Sequence, residues 1–138
     1  MKQMRLIRTA VLLIVLSSLV LTACALKAPQ LRLEADEIDL GEVVVGEIVL
    51  RRVRLKNAGD APLEIFSVST SCGCTTASID TTTIPPGEQA LLTIEYDSGA
   101  HDIEGNVSVH RQIFIASNDP DHPELVIDLR AEVVAAAE

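Results

Sequence analysis

The chain has 138 residues, with 11 Lys and Arg against 20 Asp and Glu and a formal net charge of −9. That length allows one domain of ordinary size, and that charge repels phosphate backbones, which argues against a nucleic-acid partner. With no Trp, one Tyr and two Phe, a core has to be assembled from Val, Ile and Leu.

The first 23 residues stand apart from the rest. Lys2, Arg5 and Arg8 form a positive n-region, and Ala10 to Leu21 form an apolar run broken only by Ser17 and Ser18. This is the layout of a secretory signal peptide over residues 1–23, which is set aside before reasoning about fold. The run ends in Leu21-Thr22-Ala23-Cys24. Those four residues resemble the bacterial lipobox, whose cysteine is diacylated and becomes the new N-terminus. Two alternatives compete: the 17 residues from Ala10 to Leu26 are just long enough to stay as a signal anchor, or ordinary cleavage leaves Cys24 incidental. Lipidation gives the thiol's position a reason, and two or more acyl chains hold a protein stably at a membrane. Residues 24–30 then form a short tether of roughly 20 Å if fully extended. Without Lys2, Arg5 and Arg8 the mature chain keeps 20 acidic residues and a net charge of −12.

From residue 31 to 134 the pattern is short alternating runs punctuated by turns about every ten residues, which predicts an all-β, immunoglobulin-like β-sandwich of about seven strands. Leu31-Arg32-Leu33 opens it and Ile38-Asp39-Leu40 follows. Gly41 and Gly46 bracket Val43 to Val45, an expected edge strand with bends. Ile48 to Lys56 is the first long strand, with Val53 and Leu55 on one face and Arg52, Arg54 and Lys56 on the other. Arg51 breaks phase with Ile48 and Leu50, so a bulge or an edge end is expected there. Asn57 to Asp60 is a turn by composition, and Leu63 to Val68 is a strand running into Ser71-Cys72-Gly73-Cys74-Thr75. Pro85-Pro86-Gly87-Glu88 suits a type II turn. After it Ala90, Leu92, Ile94 and Tyr96 alternate with Leu91, Thr93, Glu95 and Asp97. Ser98 to Asn106 is a loop, Val109 to Ser117 a strand with Ile113 and Ile115 inward, and Asn118 to Pro123 a turn. The last strand has Leu125, Ile127, Leu129, Ala131 and Val133 on one face.

In an immunoglobulin-like order the strand at 48–56 pairs with the strand at 90–97. Arg52, Arg54 and Lys56 are then expected opposite Thr93, Glu95 and Asp97 as a charge ladder. A basic stripe on so short a tether also has a second use, contact with anionic headgroups. A paired, solvated face is the simpler account.

The order Gly41 to Glu47 (G-x-V-x-x-G-E), Leu55 to Ile65 (L-K-N-A-G-D-A-P-L-E-I), S-C-G-C-T, P-P-G-E and Ser117 to Pro120 (S-N-D-P) resembles a bacterial domain-of-unknown-function family, DUF1573. That family is marked by the S-C-G-C-T signature and is related to the ASH/Hydin-type immunoglobulin-like domains. The resemblance covers most of residues 38 to 133. It implies an immunoglobulin-like sandwich in exported, often lipidated proteins, and it supplies no biochemical activity.

Cys72 and Cys74 are the one hint of chemistry. Outside the cytoplasm neighbouring thiols tend to be oxidised, although an extended C-x-C would hold the two Cα atoms about 6.6 Å apart, at the limit for a disulfide. Gly73, lacking a Cβ, is expected to bend the chain so that the sulfurs meet. A local disulfide is one reading. Cu(I) is a second, because two close thiolates suit a soft cation. Zinc fits less well without a second cysteine pair, and His101, His110 and His122 are the only imidazoles that could complete a metal site. Thiol–disulfide exchange is a third reading, although the C-x-x-C spacing and helix N-terminus that usually lower a thiol pKa are missing. A reduced, inert pair is the fourth.

No nucleophile elbow or zinc-protease signature ties the serines, histidines and carboxylates together. Asp119, Asp121 and Glu124 lack the spacing of a calcium loop. The sequence therefore predicts a non-enzymatic, lipid-anchored extracytoplasmic protein that needs no cofactor. It would meet the membrane through Cys24 and a protein partner through its immunoglobulin-like domain. The alternative is a thiol-redox or Cu(I)-binding envelope protein using Cys72 and Cys74.

Overall fold

A computed structural model describes residues 27–100 and 105–136. The signal, the lipobox with Cys24, and His101 lie outside the described residues. The described residues form nine strands: β1 Leu31–Leu33, β2 Glu37–Val44, β3 Ile48–Asn57, β4 Leu63–Thr70, β5 Thr75–Ile79, β6 Thr83–Ile84, β7 Gln89–Asp97, β8 Val107–Ser117 and β9 Glu124–Val134. They form two sheets, ordered β1-β3-β7-β5 and β2-β9-β8-β4-β6. The all-β, immunoglobulin-like sandwich is as the alternation predicts. Two strands have no counterpart in the sequence reading, β5 and β6, because Thr75-Thr76-Ala77-Ser78-Ile79 carries too little apolar contrast to show a period. The segments either side of Gly41 form a single strand rather than two.

Alternation sets the core. Ala90, Leu92, Ile94 and Tyr96 of β7 turn inward onto Ile113 and Ile115 of β8 and Ile127 and Leu129 of β9, all buried. Tyr96 is the only aromatic side chain in this core; Phe66 is exposed where the β4–β8 register slips between Ile65 and Ser67. β2 is an edge strand, pairs with β9 in parallel, and shifts register between Asp39 and Glu42 around Gly41. The Pro85–Glu88 turn has the expected geometry, with Gly87 at φ 81° and the Glu88 N–H donating to the Pro85 carbonyl at 3.1 Å.

Of the two forms expected for the break at Arg51, the edge end is present and the bulge is not. Pairing of β3 with β7 is continuous from Ile48↔Asp97 to Lys56↔Gln89, while on the other side of β3 no strand among the described residues pairs with Ile48–Val53. Phase is preserved because Ile48 and Leu50 occupy the outer face, 60% and 54% exposed, while Arg51 takes the inward parity at an open margin. The same register removes the charge ladder. Arg52 faces Thr93, Arg54 faces Leu91 and Lys56 faces Gln89, whereas Glu95 and Asp97 face Leu50 and Ile48. Arg54 pairs instead with Glu34 beyond β1, at 3.2 Å.

The end where the described chain begins is closed by hydrogen bonds. Ala28 and Gln30, which the sequence places in the tether, accept from the N–H groups of Asp60 (3.0 Å) and Ala58 (2.8 Å). A Cβ on Gly59 would lie 2.2 Å from the Ala28 carbonyl oxygen, so this approach requires glycine. Asn57, with no exposed surface, satisfies its whole side-chain amide. Nδ2 donates to Ala61 (2.7 Å) and Ile84 (2.9 Å) carbonyls, and Oδ1 accepts from Gly59 (3.0 Å) and Gln30 (3.3 Å). Residues 28–30 therefore belong to the folded domain and not to the tether expected from sequence.

Candidate functional site

The S-C-G-C-T segment is the turn by which the chain crosses from β4 in one sheet to β5 in the other. It lies at the opposite end of the sandwich from Ala28. The Asp97 N–H donates to the Cys74 carbonyl (2.9 Å), and Ser71 N–H donates to Gln112 of β8 (2.9 Å). β7 runs the full height from the Pro85–Gly87 turn to Asp97, so about 30 Å separates the two ends. Thr70 fastens the turn from below, with Oγ1 2.8 Å from the Thr75 carbonyl oxygen and 3.1 Å from that of Cys72.

Cys72 and Cys74 are joined as a disulfide, with Cα atoms 5.4 Å apart. The separation is shorter than in an extended C-x-C because residues 72–75 turn, with the Thr75 N–H reaching back 3.4 Å to the Cys72 carbonyl. The reason expected for Gly73 is not found. Its φ is not positive, and nothing lies within 4 Å of where a Cβ would stand.

The side chain that meets the bridge is one the sequence reading passed over. Arg111, on β8, points its Nε–H at Cys74 Sγ at 3.2 Å and its Nη1 at the His110 carbonyl at 2.9 Å. A signal was present: in a strand whose inward residues are Val109, Ile113 and Ile115, Arg111 is a cation at an inward position. Among the described residues no carboxylate oxygen lies within 4.0 Å of its guanidinium. Its charge does reach Tyr96. Burial pushes the Tyr96 phenol up, Arg111 offsets part of that and Asp97 adds to it, leaving the pKa above its ordinary value.

The candidate metal ligands are not gathered here. His110 projects to the outer face, where Nε2 meets Asp128 Oδ1 at 2.9 Å. Hydrogen bonds from Gln112 first and His110 second hold that carboxyl below its usual range. His122 sits at the far end, 4.0 Å from Asp119. Among the described residues no group of three His, Cys, Asp or Glu side chains is arranged to hold a metal ion. The acidic turn is structural: buried Asp119 accepts from the Leu31 N–H at 2.7 Å through Oδ2, and from Asp121 (2.9 Å) and His122 (3.2 Å) through Oδ1. Burial raises its pKa, and those three donors with the His122 charge outweigh it, so the carboxyl titrates below its usual range.

A second feature is an open margin. β1 pairs only with Leu55, Lys56 and Asn57 of β3, and the Glu34 N–H reaches the Arg54 carbonyl at 3.0 Å. Among the described residues no strand pairs with Ile48–Val53 on that side. The outer face of β3 there reads Ile48, Leu50, Arg52, Arg54, Lys56, apolar and then basic. Arg51 Nη1 folds onto the Leu50 carbonyl at 3.1 Å. Arg51 and Arg52 line a groove of about 360 Å³ together with Glu34, Glu37 and Asp39.

The fold recurs in proteins of differing roles. A protein of unknown function from Porphyromonas gingivalis W83 is similar at 33% identity and a TM-score of 0.70. That match covers 78% of this chain and 48% of that one, so this chain spans about half the length of that relative. The ASH/PapD-like domain 7 of human CEP192 matches at 11% identity, over 80% of this chain and 89% of that one, with a TM-score of 0.60. Part of the secreted serine protease VesC from Vibrio cholerae also matches, at 16% identity and a TM-score of 0.55, over 82% of this chain and 24% of that one. At such identities the likeness concerns the sandwich alone. No curated protein matches the chain in sequence. The model of the family "Protein of unknown function (DUF1573)" matches residues 31–133, and the chain belongs to that family.

Proposed function

We propose that the chain is an extracytoplasmic lipoprotein, held at a membrane through Cys24, whose immunoglobulin-like domain works as an interaction module and not as an enzyme. The observation that carries the reading is the margin of β3. An unpaired strand edge invites another strand, and β-strand addition is a recurrent way for a sandwich to take an extended peptide. Ile48 and Leu50 are followed on the same face by Arg52 and Arg54. The fitting occupant is an extended segment of an envelope protein, apolar at alternate positions and then acidic. Anchoring is supported by the Leu21-Thr22-Ala23-Cys24 sequence and by the short tether, which leaves the basic lower part of β3 near the membrane.

For the cysteine pair, Arg111 favours thiol chemistry over Cu(I), because a guanidinium 3.2 Å from Cys74 Sγ opposes a cation on that sulfur. The test is in cells. A photo-crosslinking residue at Ile48 is expected to trap a partner, one at exposed Ser78 on β5 is not, and Leu50→Asn with Arg52→Glu is expected to abolish the adduct. Cys24→Ser should move the protein out of the membrane fraction. No adduct at Ile48, or one indifferent to the two substitutions, overturns the partner reading. Membrane retention or palmitate incorporation by Cys24→Ser overturns the anchor.

A further inference from the structure

The two sulfurs of the bridge are not equivalent. Cys74 is 3% exposed and belongs to the core, whereas Cys72 is only partly buried. The Thr75 hydroxyl lies 3.6 Å from one sulfur and 3.8 Å from the other, so it does not distinguish them. Arg111 does, because its Nε–H is aimed at Cys74 alone. A disulfide sulfur is a neutral, weak acceptor. A thiolate in the same place would accept a charge-assisted bond roughly twice as strong as a neutral one. In a chain with 20 acidic residues, this guanidinium has no carboxylate within 4.0 Å among the described residues. The site therefore complements the product of bridge cleavage better than the bridge itself, which lowers the barrier to that cleavage.

We propose that Cys72–Cys74 is a directional thiol–disulfide exchange site, at which an external dithiol is oxidised and Arg111 stabilises the departing Cys74 thiolate. The dithiol's first thiolate attacks the accessible Cys72 sulfur. A mixed disulfide to Cys72 forms, the Cys72–Cys74 bond breaks, and its electron pair leaves on Cys74 beside the guanidinium. The dithiol's second thiolate then attacks its own partner sulfur, closing the donor's disulfide and releasing Cys72 as a thiolate that takes a proton. Two electrons pass from the donor to the bridge, and each event consumes one bridge. Leaving-group thiols stabilised as thiolates depart faster, and a nearby arginine is one of the groups that stabilises them. This inference goes beyond the interaction reading and rests on neither the anchor nor the β3 margin. Its end of the sandwich lies about 30 Å from the end where the described chain begins.

The test uses the full chain carrying Cys24→Ser, so that two cysteines are counted, with dithiothreitol as the dithiol. Reduction is followed by alkylation and mass in wild type, Arg111→Met and Arg111→Lys. Arg111→Met is expected to slow reduction roughly tenfold and to shift the equilibrium against reduction by a similar factor, while Arg111→Lys recovers part of both. A role limited to packing has the opposite sign, since a loosened turn exposes Cys74 and speeds reduction. In single variants, glutathione disulfide should capture Cys72 in Cys74→Ser at least tenfold faster than Cys74 in Cys72→Ser. Unchanged or faster reduction of Arg111→Met, or equal capture of the two thiols, overturns the proposal.

Discussion

At the end where the described chain begins, Asn57 spends both amide donors and its acceptor on backbone groups, and Asp119 takes three backbone N–H groups, all over distances of 2.7 to 3.3 Å. About 30 Å away, the opposite end leaves a guanidinium with no carboxylate within 4.0 Å among the described residues, a bridge across two residues, and Ile48 and Leu50 in solvent. Both ends hold polar groups beside the core. The first saturates them, and a saturated polar group locks one backbone arrangement. The second leaves interaction capacity unspent, which does little for folding and much for meeting another molecule.

That contrast predicts a graded set of effects. Asn57→Ala strands the buried Ile84 carbonyl, the part-buried Ala61 carbonyl and two part-buried N–H groups, and should lower unfolding free energy by roughly 3–5 kcal/mol in urea titrations. A loss under 1 kcal/mol would break the contrast at its firmest point. Asp119→Ala comes next, at about 2–3 kcal/mol at pH 7, and it carries a pH signature. Its folded pKa lies below the ordinary value of 3.8, so the unfolded chain binds the proton first. The carboxylate's contribution is complete above the unfolded value and drains as pH falls through the folded one. Wild type and variant should therefore converge in stability well below pH 3.8, and a gap that persists there would contradict the hydrogen-bonded carboxylate.

At the other end the expected losses are smaller. The Cys72→Ala/Cys74→Ala double variant closes no loop worth the name and should lose about 1–2 kcal/mol at most. A larger loss would mean the bridge is a staple of the fold rather than a place for exchange. Gly73→Ala should change thermal stability by less than about 0.5 kcal/mol, since its φ is not positive and a Cβ would meet open space. A substantial loss would restore the bending role expected from sequence.

Much of the fold was legible because two-residue alternation reports directly on which face is buried. β7 and β9 show this residue by residue, from Ala90 to Tyr96 and from Ile127 to Val133. β5 was not legible, because Thr, Ala and Ser mark no face strongly. The cysteine pair was visible and its chemistry was not. The cation that separates Cys74 from Cys72 comes from position 111, 37 residues away, and spacing within S-C-G-C-T says nothing of it.

The sequence by itself determined the sandwich, the Pro85–Glu88 turn and the inward set of β7, since each follows from local sterics and from burial on a period of two. Only the tertiary structure decided the β3–β7 register, which set Arg52 and Arg54 against Thr93 and Leu91 instead of carboxylates. It also brought Arg111 to Cys74 and tied Ala28 to Asp60. Each of these depends on which residues far apart in the chain stand side by side, and for the β3–β7 pair a one-residue slip in register would turn every side chain to the other face.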